Sequence, residues 1–185
     1  MERSRIILLL FVVCLVGART ASAQDAHVFG VTMGYPASVG VLWQVTDGLA
    51  LRPELSFAHI SSEIENESPI IGDSSTDGNA VSVGLSALFY LAKWDMTRAY
   101  VVPRYAYSKT TTSIEGPFAG LDRDQTSNGH VFGVSFGAQH ALGERFSLYG
   151  ELGLQYDRST TETATTELRR STFGTRSGVG VVVYF

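Results

Sequence analysis

Ser177-Gly178-Val179-Gly180-Val181-Val182-Val183-Tyr184-Phe185 is the stretch that decides the fold of this 185-residue chain. Side chains alternate along a strand with period two, so Val179, Val181, Val183 and Phe185 share one face. Glycines fill the alternate positions Gly178 and Gly180. A soluble domain rarely ends on such a strand, because termini fray and an open apolar edge invites aggregation. A closed barrel in a membrane removes both problems. The strand pairs around the ring and its apolar face meets lipid.

The same alternation recurs upstream in seven further segments. With the terminal one, they are Ala26–Gly34, Ser38–Val45, Leu49–Ser61, Asn79–Leu91, Arg98–Ser113, Gly129–Leu142, Arg145–Arg158 and Arg170–Phe185. Most hold the 9–11 residues that a tilted membrane strand needs. Short connections at Thr46-Asp47-Gly48, Ala92–Thr97 and Gly143-Glu144 alternate with longer polar ones at Glu63–Gly78, Ile114–Asn128 and Ser159–Arg169. Tyr35-Pro36-Ala37 is short but falls in the long series. Such asymmetry is expected of a barrel with periplasmic turns and extracellular loops. The sequence predicts an all-β fold: a single eight-stranded antiparallel up-and-down transmembrane β-barrel.

One face of the segments carries Phe29/Val31/Met33, Val39/Val41/Trp43, Leu51/Leu55/Phe57 and Val81/Val83/Leu85/Phe89. It continues with Val101/Tyr105/Tyr107, Phe132/Val134/Phe136 and Phe146/Leu148/Leu152/Leu154. The other face is small or polar: Gly30, Thr32, Gly40, Gln44, Ser82, Gly84, Ser86, Gly133, Ser135, Gly137, Gln139 and Gly153. Arg52, Glu54, Arg104, Glu151 and Gln155 share that small-residue face. An arginine facing lipid near the midplane costs about 2–4 kcal/mol, so this face is expected to point inward. The two Arg and two Glu then form a neutral network inside a narrow lumen. An eight-stranded interior is just wide enough for side chains, so an open pore is not expected. A soluble barrel would invert the pattern. Aromatics near strand ends predict two interfacial girdles, with Trp43, Trp94, Phe89, Phe146 and Phe185 on the periplasmic side. Tyr35, Phe57, Tyr107, Phe132 and Tyr156 mark the outer side. Pro53 and Pro103 interrupt strands and would need bulges there.

At the other end, Arg3 and Arg5 precede the apolar run Ile6–Val16, followed by the small residues Ala21-Ser22-Ala23. These are the parts of a secretory signal peptide over residues 1–23. The run is too short for a spanning helix, which needs about 20 apolar residues. The expected mature domain, 24–185, starts at Gln24 and lacks Cys14, the one cysteine. It therefore offers no disulfide, thiol nucleophile or cysteine metal site. It holds 11 Lys/Arg against 17 Asp/Glu, a net charge of −6 with His neutral. That balance argues against nucleic acid as a partner.

Signal peptide, eight amphipathic strands and the Val-x-Val-x-Phe ending together resemble the outer-membrane protein β-barrel domain family, the small OmpA/OmpX-type barrels of Gram-negative cells. The resemblance implies location in the cell outer membrane and contact with its lipid and lipopolysaccharide. It also implies handling by the barrel-assembly machinery through the C-terminal strand, and a monomeric state. No separate peptidoglycan-binding domain is expected after the last strand. The family includes passive structural barrels, adhesion proteins and lipid A enzymes.

His59-Ile60-Ser61 puts a base and a hydroxyl two apart on one strand face, the minimal activated nucleophile. Lipid A deacylases of this fold carry a His-x-Ser pair on the outer surface. Here Ser62, not the Asn of that motif, follows the pair, which also lies early in the chain. His27, His130 and His140 show no ligand spacing. Glu63, Glu65, Glu67, Asp73 and Asp77 make an acidic connection whose spacing does not match a calcium loop. The expected role is thus a non-enzymatic structural or surface-interacting barrel, with no catalytic, cofactor or metal site. The alternatives are a lipid A-modifying hydrolase using His59 and Ser61, and a small-solute channel.

Overall fold

The computed structural model describes residues 29–64, 74–115, 123–163 and 166–185. The expected signal peptide, Gln24, His27 and the acids Glu65, Glu67 and Asp73 lie outside the described residues. Among those described, no helix is long and apolar enough to cross a membrane.

Eight strands follow one another: β1 Phe29–Tyr35, β2 Ser38–Thr46, β3 Leu49–Ile64, β4 Ser74–Trp94, β5 Thr97–Glu115, β6 Arg123–Ala141, β7 Phe146–Thr163 and β8 Thr166–Tyr184. Each pairs antiparallel with the next, and β8 returns to β1, closing the ring. Closure gives every strand two neighbours, the condition for burying a sheet in lipid.

The period-two reading holds around the ring. Val39, Val41, Val83, Leu85, Phe132, Val134, Phe136, Leu152 and Val179 all stand exposed on the outside. Thr32, Arg52, Glu54, Ser86, Ser135, Gln139 and Glu151 are buried inside. A soluble barrel of this size would show the reverse, with its apolar side chains within.

Two expectations need correction. Strand reaches into each of the long connections: β4 starts at Ser74, β6 at Arg123, and β7 and β8 reach Thr163 and Thr166. These extensions are rich in Thr and Ser, whose β-branched or small side chains suit a hairpin with water on both faces. The second correction concerns the prolines. No bulge forms at either; the register shifts lie between Gln44 and Thr46 and between Tyr90 and Ala92. Pro53 pairs regularly with Leu85, and Pro103 with Val134. On their other side the ladder lapses: the β2–β3 register skips from Gly40↔Glu54 to Trp43↔Leu51, and β4–β5 from Ser86↔Arg104 to Phe89↔Val101. A proline lacks the N–H that would have bridged each gap.

The wall is uneven in height. β1 and β2 have 7 and 9 residues, whereas β3 to β8 have 16 to 21. The β1–β2 connection turns at a cis Tyr35–Pro36 bond. Above it, β3 beyond Ser56 and β8 before Val179 keep a paired strand on one side only among the described residues.

Candidate functional site

Three layers fill the lumen. Nearest the end with the tight turns is a vestibule of about 490 Å³, lined among others by Gln44, Tyr90, Arg98, Gln139 and Tyr184. Tyr90 donates to Gln139 at 3.5 Å, and the Gln139 amide bonds the Tyr184 hydroxyl. The Arg98 guanidinium lies 5.5 Å from the centre of the Tyr90 ring, a cation–π distance.

Above the vestibule sits an apolar plug of Leu42, Ala50, Leu88, Tyr100, Val102, Tyr149 and Val182. Two tyrosines shape it by lying across glycines of neighbouring strands. A Cβ at Gly137 would sit 2.5 Å from the Tyr100 ring, and one at Gly180 would collide equally with Tyr149. Tyr100 and Gly137 face each other across β5 and β6, as Tyr149 and Gly180 do across β7 and β8. Each ring occupies the volume that its partner's missing side chain leaves.

The third layer is the charge network that the sequence placed inside. Arg52 reaches Glu54 at 3.0 Å and Glu151 at 2.8 Å, and Arg104 reaches the second oxygen of Glu54 at 2.9 Å. Ser86 donates to Glu54 at 3.2 Å and Tyr100 to Glu151 at 3.1 Å. Arg52 also stands 5.1 Å from the Tyr149 ring centre. Arg52 and Glu54 are 2% and 4% exposed, Arg104 15%. The Nε atoms of Arg52 and Arg104 lie within ion-pair reach of Glu54, but their N–H bonds are not aimed for a hydrogen bond. The contacts at Nε are therefore coulombic and imperfectly directed. Gln155 faces the same lumen, opposite Gly133 and Gly174. Two cations and two anions cancel, so the layer can remain charged without water at its centre.

Sequence reasoning brought the four charges together but missed the plug. Period two marks Tyr100 and Tyr149 as inward-facing. What makes room for them is a glycine on the neighbouring strand, which shows only once the register is known.

His59 and Ser61 are exposed on the outer face, where they pair with Asn79 and Asp77 of β4. His59 Nδ1 lies 2.9 Å from Asn79 Oδ1. No cluster of His, Cys, Asp or Glu able to hold a metal occurs among the described residues. Of the acidic connection, Asp77 belongs to β4, opposite Ser61.

No protein-family model matches the sequence, and no curated protein is similar to it in sequence. Solved structures are similar in shape. A major outer membrane protein from Thermus thermophilus superposes with a TM-score of 0.59 at 15% identity, covering 85% of this chain and 98% of that one. The fold is that of the small outer-membrane β-barrels. Neisserial surface protein A matches over 85% of this chain and 92% of its own at 18% identity and TM-score 0.46. Acinetobacter baumannii CarO matches over 89% and 100% at 14% identity and TM-score 0.44. For this barrel the features of interest are the side chains packed in the lumen and those exposed on the exterior.

Proposed function

We infer that the chain is an outer-membrane barrel with a structural and surface-interacting role, neither an open pore nor an enzyme. The observation that carries this is the pairing of a lipid-compatible exterior with a lumen filled at mid-height. Tyr100, Leu42, Leu88 and Arg52 are at most 2% exposed inside a ring whose outer face presents Val, Leu and Phe. The tight turns then lie in the periplasm and the long hairpins outside. Loops and hairpin tips make the specific contacts, since a rigid scaffold leaves recognition to them.

Two measurements test the reading. Purified protein in planar bilayers should give no steady conductance; a stable ion current would overturn the sealed lumen. Mass analysis of lipid A from cells with and without the protein should show no change. Loss of an acyl chain that depends on Ser61 would replace the reading with the hydrolase.

A further inference from the structure

The outer surface of β5 to β8 carries successive rows of side chains, read directly from the strand registers. The lowest is aromatic: Tyr105, Phe132, Tyr156 and Phe173 face one another in turn across four strands, all exposed. The next row up is Tyr107, His130, Arg158 and Ser171, and the one above is Lys109, Asn128, Thr160 and Arg169. Tyrosine hydroxyls of the lower rows bond upward. Tyr105 meets His130 Nδ1 at 2.9 Å, Tyr156 donates to Ser171 at 3.2 Å, and Tyr107 donates to Asn128 at 2.9 Å. Rings below and hydroxyls above mark the level where acyl chains give way to headgroups.

Immediately above that level stand Lys109, Arg158 and Arg169, with His130 beside Arg158. Neither of these two rows contains a carboxylate. The nearest on this face are Glu162 and Glu167 in the row above, and Glu167 pairs with Arg169 at 2.8 Å in an exposed bridge. Such a bridge is weak and leaves Arg169 available to a stronger anion. On β3 and β4 the outer positions above Phe57 and Val81 are His59, Ser61, Asn79 and Asp77, with no Lys or Arg among them. The cations are thus confined to one side of the ring, just above the aromatic row. Arg158 and Arg169 are diagonal neighbours on adjacent strands, so both guanidiniums can converge on one group. Two arginine forks with the neighbouring Ser171 and Thr160 hydroxyls suit the three terminal oxygens of a phosphomonoester, while Lys109, three strands from Arg169 at about 14 Å, adds positive charge at the margin.

We propose that Arg158 and Arg169, above the row Tyr105–Phe132–Tyr156–Phe173 and flanked at a distance by Lys109, form a site for the phosphomonoester headgroup of an outer-leaflet glycolipid. Its acyl chains would lie along the aromatic row. The proposal rests on the outer-membrane reading above and gives the expected glycolipid contact a place and the residues that make it.

The test uses the full chain refolded into phosphatidylcholine vesicles. The vesicles are doped either with a bis-phosphorylated acyl-glucosamine lipid or with the same lipid after phosphate removal. Insertion is scored by heat-modifiable gel mobility, and retained lipid by native mass spectrometry. The phosphorylated lipid should be retained at least about tenfold over the dephosphorylated one, since a charge-assisted contact contributes about 1.5 kcal/mol or more. Arg158→Gln and Arg169→Gln should each cut retention severalfold and Lys109→Gln somewhat less. Arg176→Gln, on the inward face of β8, should leave it unchanged. Protein that inserts but retains both lipids alike, or loses nothing in the Arg158→Gln/Arg169→Gln pair, would overturn the site while leaving the barrel reading intact. Displacement of the lipid by inorganic phosphate at equal concentration would also overturn it, because the lipid anchor would then add nothing. A chain that does not insert would overturn both.

Discussion

Replacing Glu54 by Gln preserves the shape of the side chain and removes its charge, so it isolates the electrostatics of the lumen. Glu54 touches Arg52 at 3.0 Å and Arg104 at 2.9 Å and accepts from Ser86 at 3.2 Å. After the change the layer holds two cations and one anion. Arg52 keeps Glu151 at 2.8 Å, so the stranded charge is Arg104. Breaking a buried pair costs about 3–5 kcal/mol, and Arg104, 15% exposed, can recruit some water. The lower end, about 3 kcal/mol, is the expected loss. With a urea slope of about 2 kcal/mol per M, the unfolding midpoint should fall by about 1.5 M. The assay is urea titration of the barrel in lipid vesicles, with the folded fraction read on gels. Adding Arg104→Met should restore more than half of the loss, because the orphaned cation disappears with its partner. A midpoint unchanged by Glu54→Gln, or a double variant as unstable as the sum of its singles, would refute the network as a source of stability.

Gly137→Ala should cost about 1–3 kcal/mol through the Cβ forced against Tyr100, read as a lower unfolding midpoint. Trimming the ring as well, with Tyr100→Phe, should not relieve it, since the ring carbons are in the way. Val134→Arg places a charge on the lipid face and should destabilise by about 2–4 kcal/mol in vesicles if Val134 lies near the midplane. The same change at Thr111, in the exposed extension of β5, should be nearly silent. Asp95 turns the β4–β5 hairpin with φ 39°, so Asp95→Gly should raise the midpoint slightly, by up to about 1 kcal/mol, and Asp95→Val should lower it.

The two faces were legible because Phe132/Val134/Phe136 contrast sharply with Gly133/Ser135/Gly137, and the charged side chains decided which face points outward. The charge layer followed from the same phase, since Arg52, Glu54, Arg104 and Glu151 could not face lipid. The plug escaped for two reasons. Leu42 and Val182 sit inside unbroken apolar runs, Val41-Leu42-Trp43 and Val181-Val182-Val183, where both phases look alike. Tyr100 and Tyr149 fit only against Gly137 and Gly180, a complementarity written across strands and not along them. Strand length failed where alternation ends. Thr160-Thr161, in the stretch read as a connection, belong to a tall polar hairpin, so no apolar beat identifies them as sheet. The basic row above the aromatics was hidden for the same reason as the plug. Arg158 and Arg169 sit on the two arms of one hairpin, and only the register shows that they share a face as diagonal neighbours, with Lys109 further along the same rows.

The short first strand has a consequence for how the ring comes to exist at all. Seven of the eight seams join consecutive strands, and their connecting loops close at little entropic expense. The eighth joins Gly30–Tyr35 to Val179–Tyr184, segments roughly 150 residues apart along the chain. Closing a flexible chain of that length directly would cost about 4 kcal/mol in entropy against about 1 for a tight hairpin, so the consecutive hairpins form before the six residues on each side meet. Sequence-distant pairings are also the slow ones. An open, curved sheet of consecutive hairpins is therefore the natural precursor, and cyclisation is its final event. Whatever holds the two ends of that sheet together during insertion acts at the one place where the polymer's connectivity gives no help.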